Sequence, residues 1–182
     1  YLSRYPDTTI RMVVANTQDL LRLLNSGAID FVLVEGFFTK SEYDHRVYAK
    51  EPYIAICSSD HEFIRPPFCF EDLLSQRLIL REPGSGSREI LEKQLAERNL
   101  TVHDFANVVE ISNIGALKRL VQLGTGIAFL YEAAVREELA NGSLRALELS
   151  DFQVYHDFTF LWRRGSVFST YYQELFELLQ QK

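Results

Sequence analysis

The chain has 182 residues, 47% hydrophobic and 24% charged, a globular composition long enough for one domain or two small lobes with a real core. Lys and Arg number 19 against 25 Asp and Glu, a net charge of −6; nucleic-acid-gripping domains are usually basic with clustered Lys and Arg, so the dispersed charges here argue against direct DNA contact. No apolar run is long enough to span a bilayer and no stretch reads as a signal peptide. The two cysteines, Cys57 and Cys69, make no disulfide framework and read as small packed hydrophobes in a reducing, cytoplasmic setting.

Apolar strands alternate with amphipathic helices along the chain. Tyr1 to Pro6 reads as the end of a helix, which leads us to expect a first strand and the start of a first helix upstream. Ile10 to Ala15 predicts a strand, and Asn16 or Thr17 then caps a helix carrying Leu20, Leu21, Leu23 and Leu24 that stops at Gly27. Phe31 to Val34 is a short continuous apolar run of the kind found in parallel sheets covered on both faces. Pro52 to Cys57 predicts another strand, Glu71 to Leu74 a single helical turn, and Leu78 to Leu80 a strand. Ile90, Leu91 and Leu95 then face inward on a helix. Val108 to Ile111 predicts a strand, and Ser112 or Asn113 caps a helix that buries Leu117, Leu120 and Val121 and ends at Gly124. Strands are expected over Ile127 to Leu130, Leu144 to Leu149 and Phe158 to Trp162, with a helix from Ala133 to Leu139 before Gly142. The closing helix sets Tyr172, Leu175, Phe176 and Leu179 on one face at helical spacing. The alternation predicts an α/β fold with open, mostly parallel sheets and helices on both faces.

One segment says most about chemistry: Leu78 to Leu91, where a strand runs through Pro83-Gly84-Ser85-Gly86-Ser87 into a helix. A helix start presents free backbone N–H groups aligned with the positive end of the helix dipole, a ready site for carboxylate, sulfate or phosphate. Gly84 and Gly86 permit close approach of a ligand, and Ser85 and Ser87 add hydroxyl donors. The plainer reading makes one of these serines an N-cap. In open α/β sheets ligands lie beyond the carboxyl ends of strands. Those ends here are Asn16-Thr17, Glu35-Gly36, Gly84 to Ser87, Ser112-Asn113 and Tyr131, and three of them also start helices. Each can be an anion contact or merely a cap.

Catalytic constellations are missing. His45, His61, His103 and His156 have no zinc spacing. Gly84-Ser85-Gly86-Ser87 is neither a nucleophile elbow nor a phosphate-binding loop of the Gly-Lys-Ser/Thr kind. Glu35, Glu82 and Glu110 lie near strand ends, and the sequence offers none of them an obvious acid/base partner. Gly124 and Gly126 read as a helix stop and a tight turn. No catalytic residue, metal or cofactor is expected, and the chain reads as a non-enzyme.

Four segments in order carry a resemblance: Arg-Tyr-Pro-Asp (4–7), Gly27-x-Ile-Asp-Phe-Val-Leu-Val-Glu-Gly (27–36), Arg-Glu-Pro-Gly-Ser-Gly-Ser-Arg (81–88) and Ile114-x-Ala-Leu-Lys-Arg-Leu-Val-x-x-Gly-x-Gly-Ile-Ala-Phe-Leu (114–130). Together they resemble the effector-binding domain of LysR-type transcriptional regulators over essentially the whole chain. The resemblance implies a type 2 periplasmic-binding-protein-like fold, with two Rossmann-like lobes joined by a two-crossover hinge. Lobe I is expected at 1–57 plus 156–182 and lobe II at 58–155. It implies a small-molecule effector, a carboxylate or other anion, held between the lobes by Asn16, Thr17, Glu35, Gly36, Gly84, Ser85, Gly86, Ser87, Ser112 and Asn113, with Phe129 and Tyr131 as pocket walls. It further implies a homodimer, a tetramer in the full-length protein, and promoter DNA bound through an N-terminal winged helix-turn-helix domain lying outside this chain. The effector would shift the quaternary arrangement and so regulate transcription. A solute-binding protein of a transport system shares the fold and is the alternative.

Overall fold

The computed structural model describes residues 1–180. The chain separates into two compact units, Tyr1–Lys50 with Asp157–Lys182, and Glu51–His156, so it passes between them twice.

In the first unit, helix α1 (Thr17–Ser26) begins where the Asn16 side chain accepts the Asp19 N–H at 2.9 Å. It ends at Gly27, whose φ of 76° lets the next N–H, that of Ala28, fold back to the Leu23 carbonyl. Its apolar stripe, Leu20 and Leu24, packs with Val32 and Val34 of β1 (Phe31–Val34) and with Tyr43 and Leu161. Strand β1 differs from the continuous buried parallel strand expected. It pairs antiparallel with β7 (Val154–Arg163), and its side chains alternate, Val32 and Val34 buried, Phe31 and Leu33 exposed. An antiparallel pair can leave one face to water, and four apolar residues in a row carry no information about that. A second cluster joins Phe160 and Trp162 of β7 to Tyr172 and Leu175 of α5 (Ser169–Gln180). Of the predicted inward face of α5, Phe176 is half-buried and Leu179 is exposed.

The strand expected over Ile10 to Ala15 does not form. Val13 packs on the α1–β1 cluster, while Ile10, Arg11, Met12, Val14 and Ala15 are exposed. A strand needs a ladder partner as well as an apolar run, and none pairs with this segment among the described residues.

In the second unit, the last part of β2 (Tyr43–Ser58) lies between β5 (Ala128–Tyr131) and β6 (Leu144–Leu147), antiparallel to both, with Ile56 opposite Ala128 and Ala146. Strand β3 (Arg77–Arg81) pairs in parallel with β4 (Asn107–Ile111), and Leu78 makes a parallel bridge to Ile127. The expectation of mostly parallel sheets is therefore corrected: β3–β4 and that bridge are parallel, whereas β1–β7, β2–β5 and β2–β6 are antiparallel. Hydrophobic runs locate strands without giving their direction, which long-range pairing decides. Helices α2 (Gly86–Ala96), α3 (Ile114–Gln122) and α4 (Glu132–Ala140) cover these strands. Ile56, Ile79, Leu117, Val121, Leu130, Val135 and Leu144 form one core cluster. The predicted helical turn occurs as a 3-10 turn over Phe70–Leu73. Both cysteines are free, and Cys57 lies wholly buried. Among the described residues, no helix is long and apolar enough to cross a membrane.

Two details are testable. Gly126 sits where a Cβ would run into the Arg77 carbonyl oxygen, which itself accepts the Ile127 N–H at 2.9 Å. Its role is close approach of two backbones rather than the tight turn expected. Gly126→Ala should cost about 2 kcal/mol in urea denaturation. The second is the tie between α3 and α4, where Lys118 meets Glu138 at 2.6 Å and also donates to the Ala134 carbonyl. Burial opposes ionisation of Glu138, but the hydrogen bond from the Lys118 ammonium outweighs it and holds the carboxyl below its ordinary 4.5. A depressed carboxyl contributes stability that is complete above its unfolded value and is lost as pH falls through the folded one. Lys118→Met should therefore make the denaturation midpoint fall less steeply between pH 5 and pH 3 than in the wild type, by about half a unit of free energy in kcal/mol or more.

Candidate functional site

The most structured polar feature of the second unit is the passage from β3 to α2. Glu82, Pro83, Gly84 and Ser85 close a turn in which the Ser85 N–H donates to the Glu82 carbonyl at 3.2 Å. Proline at the second place and glycine with φ of 86° at the third are what a type II turn requires. Helix α2 then starts, and its first intrahelical bond runs from the Glu89 N–H to the Ser85 carbonyl. The N–H groups of Gly86, Ser87 and Arg88 precede that bond and have no acceptor within the helix. Ser85 occupies the N-cap position but makes no capping bond. Its hydroxyl lies 3.0 Å from that of Ser87 instead. Gly84, Ser85, Gly86 and Ser87 are all buried. Three N–H groups, a helix dipole and two hydroxyls thus share one enclosed turn, an arrangement that complements negative charge.

Around it, arginines pair with Glu82, Glu92 and Glu110. Arg81 grips Glu82 through two nitrogens at 2.8 and 3.1 Å. Arg88 donates to Glu92 at 2.7 Å, to Glu110 at 2.6 Å and to the Arg81 carbonyl at 3.1 Å. Burial works against the Arg88 charge, and the bonds to Glu92 and Glu110 more than restore it. Glu82 and Glu110 are therefore both held in ion pairs. Arg88 joins the ends of β3 and β4 to the first turns of α2. Arg88→Gln should lower stability by about 1–2 kcal/mol, measured by denaturant titration, because it leaves those carboxylates with one neutral donor.

Tyr53, on β2, meets the same turn. Its ring is buried and its hydroxyl donates to the Ser87 carbonyl at 2.7 Å. Burial pushes that hydroxyl well above its usual pKa, so it stays a donor at any working pH. Phe129 and Tyr131, expected as pocket walls, are both buried. Phe129 sits within a ring cluster of Tyr53, Phe70, Phe105 and Phe152, and Tyr131 meets Tyr53 edge-on at 5.3 Å. The structure thus brings Gly84 to Ser87 and Tyr131 together through Tyr53. Ser112 and Asn113 are exposed at the start of α3, where Asn113 Oδ1 accepts the Ala116 N–H at 2.8 Å as a cap.

In the first unit, Asn16 is likewise the cap of α1. Beside it the Thr17 hydroxyl is buried with no hydrogen-bond partner among the described residues. Glu35 is half-buried and Gly36 buried, directly after β1. No group of acidic, histidine or cysteine side chains that could hold a metal ion occurs among the described residues. Sequence reasoning missed Tyr53 and Arg88 as parts of the turn. Tyr53 read as an ordinary strand residue, and only the Arg88 carried in the 81–88 motif hinted at the network.

A family model described as LysR substrate binding domain matches residues 1–182. The HTH-type transcriptional regulator CbbR of Rhodospirillum rubrum is 27% identical over 165 residues, which is 91% of this chain and 54% of that protein. The chain spans about half the length of the curated relatives it matches. Among solved structures, the Synechocystis PCC6803 CcmR regulatory domain in complex with 2-PG superposes with a TM-score of 0.85 at 20% identity, covering 98% of this chain and 85% of that one. The sulfate-bound OxyR2 E204G regulatory domain of Vibrio vulnificus gives 0.78 at 23% identity, covering 99% and 84%. The chain belongs to the LysR substrate binding domain family and has the type 2 periplasmic-binding-protein-like fold of LysR-type regulatory domains.

Proposed function

We propose that this chain is the ligand-sensing regulatory part of a LysR-type transcription regulator, and that its effector is a small anion. The buried turn Gly84 to Ser87 carries the reading. It gathers three first-turn N–H groups and two hydroxyls, and the neighbouring Glu82, Glu92 and Glu110 are drawn into ion pairs with Arg81 and Arg88. Enclosed donors without acceptors are costly, and an anionic ligand is the group that would satisfy them. Two further facts support it. In the first unit the Thr17 hydroxyl is a buried polar atom without a hydrogen-bond partner among the described residues, and one solved neighbour is a sulfate-bound regulatory domain.

The effector contacts on this reading are Asn16, Thr17, Glu35 and Gly36 from the first unit, and Gly84, Ser85, Gly86, Ser87, Ser112, Asn113, Phe129 and Tyr131 from the second. Lobes at 1–57 plus 156–182 and at 58–155 remain our assignment for the effector-holding bodies. In the whole protein, as in relatives named HTH-type regulators, a helix-turn-helix domain would bind promoter DNA and the regulatory parts would pair as homodimers within a tetramer. An effector shifts such an assembly only by its differential affinity for the two arrangements, and operator and effector binding then affect each other equally.

The test is a thermal-shift titration with sulfate, phosphate, small carboxylates and phosphate monoesters. The midpoint should rise with ln(1 + [L]/Kd) for at least one of them. Ser87→Ala combined with Asn113→Ala should weaken that ligand roughly ten-fold or more. A folded sample whose midpoint none of these anions moves would overturn the anion reading.

A further inference from the structure

We infer that Tyr53 is a positioning residue for the anion-binding turn, acting through the peptide unit between Ser87 and Arg88. This deepens the proposed function and rests on it. The Tyr53 hydroxyl donates to the Ser87 carbonyl at 2.7 Å. That carbonyl and the Arg88 N–H belong to one planar peptide group. A hydrogen bond accepted at the oxygen draws electron density from the nitrogen and makes the N–H of the same group a better donor, the cooperative strengthening seen along hydrogen-bond chains. The Arg88 N–H is one of the three first-turn donors that have no acceptor within α2. Tyr53 therefore does two things at once. It fixes the azimuth of the first turn, and it strengthens one of the donors aimed at the ligand.

Its surroundings suit the task. The ring is held on three sides by Phe129, Tyr131 and Phe152, with centroids at 6.4, 5.3 and 6.3 Å. Tyr53 is 1% exposed and stands opposite Tyr131 in the β2–β5 ladder. A side chain so confined places its oxygen at one point. Phenylalanine would keep all this packing and remove only the oxygen. It would also strand little, since the Ser87 carbonyl keeps its helical partner further along α2. A structural role alone would show as lost stability; a positioning role shows in the donor and in affinity.

The experiment compares the wild type with Tyr53→Phe, using sulfate as the probe and amide NMR as the second readout. Tyr43→Phe, a buried tyrosine of the other unit, is the control. We expect Tyr53→Phe to weaken sulfate roughly three- to ten-fold while the unfolding midpoint stays within about 3 °C. In the ligand-free protein the Arg88 amide proton should move upfield more than those of Gly86 and Ser87, and Tyr43→Phe should move none of them. An unchanged sulfate affinity, or an unchanged Arg88 amide, overturns the inference. If the wild type binds neither sulfate nor any other anion of the thermal-shift series, the anion reading itself fails, and the Arg88 shift still decides whether Tyr53 sets that donor. In the wild type, the Tyr53 hydroxyl proton should exchange slowly enough to be seen; rapid exchange with water refutes the hydrogen bond without recourse to any variant.

Discussion

The arrangement of the second unit turns on one requirement, that the buried start of α2 keep its backbone donors aligned. Peptide groups taken out of water must find partners, and the last groups of a strand and the first of a helix are those with fewest internal ones. The Glu82–Ser85 turn, the Arg88 fork and the Tyr53 hydroxyl each meet part of that requirement. The N–H groups of Gly86, Ser87 and Arg88 keep no acceptor within the helix.

The ion pairs serve that end. Three carboxylates, Glu82, Glu92 and Glu110, lie close to a turn that favours negative charge, and each is held by Arg81 or Arg88. Left unpaired, such carboxylates would compete for the same N–H groups. Partly exposed ion pairs of this kind add only modest stability, and these three draw their carboxylates away from the donors of the turn. The aromatic cluster of Tyr53, Phe70, Phe105, Phe129 and Phe152 supplies the rigidity beneath. Large rings bury much apolar area with few rotatable bonds, so they fix position at little entropic cost.

The first unit follows a different logic. Its helices α1 and α5 each pack an apolar stripe on strands of its own, and its candidate contacts are the cap of α1 and the residues after β1. Asn16 spends its side-chain oxygen on the helix, whereas the neighbouring Thr17 hydroxyl is enclosed and has no hydrogen-bond partner among the described residues. Adjacent residues of similar chemistry thus have opposite standing as ligand contacts, a difference that a cap preference alone cannot reveal.

Much of this was legible in the residues. Apolar periodicity located α1 through α5 and most strands, since burying a face is a local demand written in side-chain spacing. Pro83-Gly84 announced the turn, because only a pre-set φ followed by a positive one closes it. The ordered motifs from 4–7 to 114–130 identified the family. Strand direction, the missing ladder at Ile10 to Ala15 and the half-exposed β1 were not legible, because each depends on which distant segment supplies the neighbour. Nor was the reach of Tyr53 to Ser87, 34 positions away. Sequence fixes what each segment can bury and where the backbone can bend. Only the tertiary structure decides which polar groups meet, since hydrogen bonds are short and directional and their partners come from anywhere in the chain.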